Sequence, residues 1–497
     1  MSLENSEWPK HPKIYEINTW PWLKSLSETY EYEITLQNIP EEIIDLDFSQ
    51  FDAIWLMGVW ERSPEGREIA LNHPDLQAEY RNALNDFKPE DVVGSPYSVH
   101  YYHVDYRIGG QDSLELFRDQ LAFQDVKLLL DYVPNHTALD HLWTLEKSKI
   151  YIEGTKKEFL ERTNDFFSVE DRIIAHGRDP YFPPWTDTAQ INAFSKDARQ
   201  KAINTILSIA KLCDGVRCDM AMLMTNKIFS RTWGNRVGPP PEKEFWIEII
   251  SAVKEKHPNF LFIAEVYWDM EWELQQQGFD FCYDKKLYDR IKNENVRTIR
   301  AHLQANWMFQ RKLVRFIENH DEQRAIIALG EERSRAAAIL ILTLPGARLI
   351  HEGQMSGNRV KLPVQLGRRP IEEDNQYLLE FYLRLLNSVP GRKLGTGTWA
   401  LCRVNPVSPD NFSNTNLISY IWQIEDQRQL TIVNFNPYPS QGHVIIKDLD
   451  YGSNDWTFTD LLAQKVYTYH GEDLNNNGLY IDLPAWNGHI FDIKKVK

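Results

Sequence analysis

Eight short apolar runs punctuate the first four fifths of the chain, separated by amphipathic or charged stretches. They are KIYEINT (13–19), DAIWLM (52–57), VKLLLDYV (126–133), CDGVRCD (213–219), FLFIAEV (260–266), FDFCYD (279–284), LVRFIEN (313–319) and ARLIHEG (347–353). Runs this short and this continuously apolar fit strands buried on both faces, as in a parallel sheet. Between them, DSLELFRDQLAFQ, KDARQKAINTILSIAKL, KEFWIEIISAVKEKH and RSRAAAILILTL carry apolar residues three and four apart, which predicts helices with one buried stripe. Eight strands alternating with helices predict an α/β fold, a (β/α)8 TIM barrel.

Two connections exceed what a barrel needs, at residues 60–110 and 135–195. The second is rich in aromatics, Pro and Asp (RDPYFPPWTDTAQINAF) and reads as a small inserted subdomain after the third strand. Past the helix-like YLLEFYLRLLNSV the pattern changes near Pro390. Short alternating runs, LISYIWQI, LTIVNFN, HVIIKDL and GHIFDIKK, are then broken by Pro, Gly and Asn, which predicts antiparallel strands. The expected domains are therefore a barrel over 1–390, with its insertion at about 135–195, and an all-β sandwich over 391–497. DLNNNG (473–478) opens like a calcium loop, but Pro484 stands where the twelfth-position Glu belongs, so a hairpin turn is expected there.

Composition narrows the partners. With 497 residues and 42% hydrophobic residues the chain can bury a large core. Its net charge of −16 is spread along the sequence rather than blocked, which argues against nucleic acid or an anionic membrane surface. The four cysteines, Cys213, Cys218, Cys282 and Cys402, show no metal-ligand spacing, and three lie in apolar runs. No window approaches a membrane span, and MSLENSEWPKHPKIYEINTW lacks an apolar leader, so a cytoplasmic protein is expected, as a monomer or small homo-oligomer.

Several runs end in ionisable residues. In DGVRCDMA, Arg217 and Asp219 share one face of the strand while Val216 and Cys218 share the other. The third run ends in Asp131, Asn135 and His136, the fifth in Glu265, the seventh in Asn319, His320 and Asp321. A lone Asp at a strand end more often caps a helix. Four such ends on one barrel mouth point instead to a site. Carboxylates with an arginine and two histidines, without paired metal-ligand histidines, suit cleavage of a glycosidic bond.

These residues also resemble a known family, the α-amylase family of retaining glycoside hydrolases. The resemblance rests on DYVPNH (131–136), DGVRCDMA (214–221), FIAEVYW (262–268) and FIENHD (316–321), in the family's order, and covers about residues 10–390. It implies Asp219 as nucleophile, Glu265 as acid and then base, and Asp321 as the third carboxylate. It implies Arg217 beside the nucleophile, His136 and His320 on sugar hydroxyls, and Tyr97 in GSPYSV stacked under the ring. The implied substrate is an α-1,4-linked glucan or maltodextrin, and no cofactor is required. Trp60, Trp185 and Trp268, near strand ends or in the insertion, are candidate sugar platforms. His351 and Glu352 either line the site or satisfy one another, Asp131 is expected to brace backbone, and Cys218 to be core.

The sequence also departs from the family. Met222 and Leu223 stand where many relatives have a Lys-His pair that contacts the leaving group and helps seat a structural calcium, so that calcium is doubtful here. The last run ends HEGQ, and SVHYYHVDY follows Tyr97. These departures keep open a transglycosylase or isomerase of the same family. A non-catalytic binding module is disfavoured by the presence of all three carboxylates.

Overall fold

Each of the eight apolar runs contains one barrel strand. The computed structural model describes residues 7–446, 449 and 451–496. Strands β1 (Lys13–Asn18), β2 (Ala53–Met57), β3 (Lys127–Tyr132), β4 (Gly215–Cys218), β5 (Leu261–Ala264), β6 (Phe281–Tyr283), β7 (Leu313–Arg315) and β8 (Ala347–His351) form a closed barrel. β2 and β4 are buried at every position, which is why they read as unbroken apolar runs. The chain packs as two compact units, chiefly Ile14–Tyr283 with Val360–Ile371, and Trp8–Lys13 with Asp284–Arg359 and Glu372–Lys497.

In the first unit the strand register matters most. β4 pairs in parallel with β3, setting Arg217 against Asp131, and with β5, setting Cys218 against Ala264. Gly215 permits this approach, since a Cβ there would sit 2.7 Å from the Leu261 carbonyl oxygen and 2.9 Å from Leu129. The helices read before β3, β4 and β5 are present at Gly110–Phe123, Lys196–Ile209 and Phe245–Lys256. Ser195 caps the second by accepting from the Ala198 N–H. The long connection after β2 holds helices Pro64–Asn72 and Pro74–Ala83 and a two-stranded ribbon, Trp60–Arg62 with Val99–Val104. The insertion after β3 holds two further ribbons, His136–Ala138 with Thr188–Gln190 and Phe166–Val169 with Arg172–Ala175.

The second unit carries β7, β8 and the antiparallel strands. One sheet runs in the order Thr398–Leu401, Leu417–Ile424, Gln427–Asn434, Gly488–Lys495, Asp455–Asp460, Lys465–His470; a second runs Arg403–Asn405, Ser440–Ile445, Leu479–Leu483. Leu417, Ile421, Leu430, Phe458 and Phe491 of the first sheet share one core with Val404, Val444, Leu479, Ile481 and Leu483 of the second, so the two sheets are layered as a sandwich. The helix Glu331–Thr343 belongs to this unit because its end is tied to the sheet. The Trp422 indole donates to the Thr343 carbonyl at 2.7 Å, and the Thr343 and Tyr420 hydroxyls meet at 2.6 Å. DLNNNG is not the hairpin turn expected from its Asn and Gly. It lies in a short helix, Gly471–Asn477, that Gly478 ends at φ 79°, joining strands of different sheets.

All four cysteines are buried. Among the described residues no helix is long and apolar enough to cross a membrane.

Candidate active site

Arg217 organises the site of the first unit. Its guanidinium, almost fully buried, lies 2.6 Å from Asp219 Oδ1, 2.7 Å from Glu265 Oε2 and 3.4 Å from Asp131 Oδ1. Its Nε donates to the Tyr283 hydroxyl at 3.3 Å. The rings of Tyr97, Trp55 and Tyr283 lie 5.2, 5.5 and 5.8 Å from the guanidinium carbon, so the cation is walled by aromatic faces. Burial opposes its charge, yet Glu265, the two phenols and Asp219 raise Arg217 well above the ordinary arginine range. One buried cation thus serves three buried carboxylates.

Glu265 is held by the Arg217 cation and by hydrogen-bond donors. Besides Arg217, the Met220 N–H donates to Oε2 at 2.7 Å and the Tyr267 hydroxyl to Oε1 at 2.7 Å. Met220, directly after Asp219, has φ 42° and ψ 44°, a left-handed conformation that costs a side-chain-bearing residue about 1–2 kcal/mol. That twist aims its N–H at Glu265, and the Ala221 N–H also donates to the Glu265 carbonyl, at 3.0 Å. Sequence reasoning missed Met220 and Tyr267. Both lie past strand ends, where alternation gives no guide: β5 ends at Ala264, and the left-handed turn at Met220 has no residue signature.

Asp131 braces the site through its side chain as well as its backbone. Trp55 donates to its Oδ2 at 3.1 Å, and Trp60 donates to its carbonyl at 2.8 Å. Trp60, expected as a sugar platform, is only 1% exposed, and a buried ring offers a ligand no face; its indole packs the base of the site instead. Trp185 lies against His136, ring centroids 5.2 Å apart. Trp268 is 37% exposed. Cys218 is buried.

His136 is buried and neutral. Burial lowers it from 6.5 to about 4, a hydrogen bond with the Tyr97 backbone only partly opposing the shift. His141 is likewise lowered to about 3, by burial and then by His100. A histidine lowered on folding costs stability once the pH falls below 6.5, and the cost is complete below its folded value. The protein is therefore expected to lose stability between about pH 6.5 and pH 4, with about 3 kcal/mol of that loss traceable to His136. Thermal melts at pH 7 and pH 4 test this. His136→Gln should narrow the gap between the two melting temperatures, and an unchanged gap would contradict the assignment.

The second unit carries the other site candidates. His320 is buried and its Nε2 lies 3.0 Å from Asp321 Oδ2, while the Asp321 side chain is 43% exposed. Asn319 Oδ1 accepts from the Asp321 and Glu322 N–H groups at 3.0 and 2.9 Å, fixing the turn that presents them. Glu318 anchors the segment, 2.6 Å from Arg324 and 3.0 Å from His351 Nδ1, and accepts from the Ala325 N–H at 2.6 Å. Burial alone would raise the Glu318 carboxyl, but Arg324 and His351 outweigh it and hold it below its ordinary range. His351 thus pairs with Glu318, and Glu352 contributes its carbonyl to Arg324 at 2.7 Å. Among the described residues, no group of three or more His, Cys, Asp or Glu side chains is arranged to hold a metal ion.

The chain resembles known proteins along most of its length. Residues 48–363 match the family model for the alpha amylase catalytic domain. The chain is 23% identical over 445 residues to the alpha-amylase MalA of Haloarcula japonica, covering 87% of this chain and 56% of that protein. It is 23% identical over 293 residues to alpha-amylase 3 of Dictyoglomus thermophilum, covering 55% of each. The chain thus spans little more than half the length of these curated relatives. Among solved structures, the maltogenic alpha-amylase AmyB of Thermotoga neapolitana superposes with a TM-score of 0.66 at 18% identity, covering 98% of this chain and 99% of that one. An alpha-amylase of Geobacillus thermoleovorans gives 0.68 at 16% identity, covering 99% and 100%. At such identities the structural likeness speaks for the fold.

Proposed function

The chain belongs to the α-amylase family, and on that premise we propose that it hydrolyses α-1,4-glucosidic bonds of maltodextrins with retention of anomeric configuration. The observation that carries this reading is the single guanidinium of Arg217 in contact with both Asp219 and Glu265. One planar cation touching both keeps the two carboxylates close, and a retaining pair needs a separation of ~5 to 5.5 Å, against the wider spacing that leaves room for a water in an inverting site.

In the first step Glu265, protonated, gives its proton to the glycosidic oxygen as the bond to the anomeric carbon breaks and an Asp219 oxygen bonds that carbon. Arg217 keeps Asp219 ionised for attack. In the second step Glu265, now a carboxylate, takes a proton from water as the water oxygen displaces Asp219. The Arg217 guanidinium and the Met220 and Tyr267 hydrogen bonds hold the Glu265 carboxyl in place beside Asp219. Neutral His136 and the Tyr97 ring, joined through the Tyr97 backbone, take the sugar bound beside Asp219 in this reading. No step calls on a cofactor.

A rival reading within the family, transfer of the glycosyl group to another sugar, draws on Met222 and Leu223, apolar where relatives carry polar leaving-group contacts, and buried. Product analysis on maltoheptaose separates the two. The hydrolase reading expects only products shorter than the starting chain; products longer than maltoheptaose would replace it with transfer.

A further inference from the structure

With Met222 and Leu223 only 0% and 2% exposed, the leaving sugar must find its contacts elsewhere. We propose that Tyr181, Arg231 and Trp268 form the platform that seats the leaving-group side of a neutral glucan chain. This rests on the hydrolase reading above, in which the leaving sugar lies next to the acid Glu265. Tyr267 touches Glu265 through its hydroxyl, and Trp268 follows it directly.

Three separate segments converge to build the corner. Trp268, from the turn after β5, meets Tyr181, from the insertion, edge to face with ring centroids 5.0 Å apart. Arg231, from the helix Asn226–Trp233, donates to the Tyr181 hydroxyl at 2.9 Å and lies 4.9 Å from the ring centroid. Tyr181 and Trp268 are 52% and 37% exposed, so both present a face to solvent. Their positions are nonetheless fixed. Asp179, buried, accepts from the Tyr181 and Phe182 N–H groups at 2.6 and 2.9 Å. Trp268 and Asp269 take successive left-handed conformations, φ 65° and 58°, which side-chain-bearing residues seldom adopt. A rigid, solvent-facing corner of two aromatic faces and one guanidinium suits a pyranose, whose C–H face stacks while its hydroxyls accept from Arg231.

The test compares two substrates. In maltoheptaose the leaving group is a sugar chain, whereas in α-maltosyl fluoride it is fluoride, which uses no platform. For Tyr181→Ala, the ratio of kcat/KM on maltoheptaose to that on α-maltosyl fluoride should fall about tenfold. Tyr181→Phe, which keeps the ring and loses the Arg231 bond, should lower it about twofold, and Trp268→Ala about as much as Tyr181→Ala. An unchanged ratio in both alanine variants would overturn the platform while leaving the hydrolase reading standing. A wild-type protein that turns over neither substrate would overturn that reading and the platform with it.

Discussion

Asp219→Asn is expected to lower kcat on maltoheptaose by about four orders of magnitude or more, equivalent to about 5.5 kcal/mol or more of barrier. Asparagine has nearly the shape of aspartate but cannot form the ester. Arg217 loses its 2.6 Å partner yet keeps Glu265 at 2.7 Å and Asp131 at 3.4 Å, so the buried cation is still compensated. The melting temperature should therefore move little. That combination, chemistry lost and fold retained, identifies Asp219 as a reacting group. Steady-state kinetics beside a thermal melt read both quantities, and a kcat within tenfold of wild type would sink the assignment.

Arg217→Met has the other large expected effect, on stability as well as activity. It removes a guanidinium in contact with Asp131, Asp219 and Glu265, all three buried. Removing one partner of a buried ion pair costs about 3–5 kcal/mol, because the remaining charge is stranded. Here three buried carboxylates lose the same cation, so the loss should reach the upper end of that range. The pH dependence carries the sign of the effect. Carboxyls stranded in the folded variant bind protons more readily than in its unfolded chain, so the variant should regain part of its loss as the pH falls from 7 towards 5. The wild type should lose stability over the same interval as His136 resists protonation. Arg217→Lys should not rescue activity, since one ammonium cannot reach Asp219 and Glu265 with the fork that a guanidinium supplies. Melting curves across that pH interval check the prediction, and parallel pH dependence of variant and wild type would contradict it.

The barrel was legible because its physics is local. A strand buried on both faces must be apolar at nearly every position, and AIWLM at β2 or LFIA at β5 cannot easily be read otherwise. The site motifs were legible for the same reason, since a charge at the end of such a run stands out. Much else depended on contacts distant in sequence. Trp60 looked like a surface ring until the Asp131 carbonyl, 71 residues away, proved to take its indole N–H. Tyr181 and Arg231 belong to no motif, and only the fold brings them to Trp268. The sandwich strands were visible as alternating runs, but their order was not: Gln427–Asn434 pairs with its neighbour Leu417–Ile424 and also with the distant Gly488–Lys495. DLNNNG misled because Asn and Gly serve helix ends as readily as hairpin turns.

The central claim is a covalent glycosyl–Asp219 intermediate, and trapping it is the direct test. In Glu265→Gln the fluoride of α-maltosyl fluoride can still leave without an acid, but no base remains to activate water, so the ester should accumulate. Mass spectrometry of the proteolysed protein should find one maltosyl group on the peptide that contains Asp219. An adduct on another residue, or turnover of the fluoride with no adduct at all, would contradict the account.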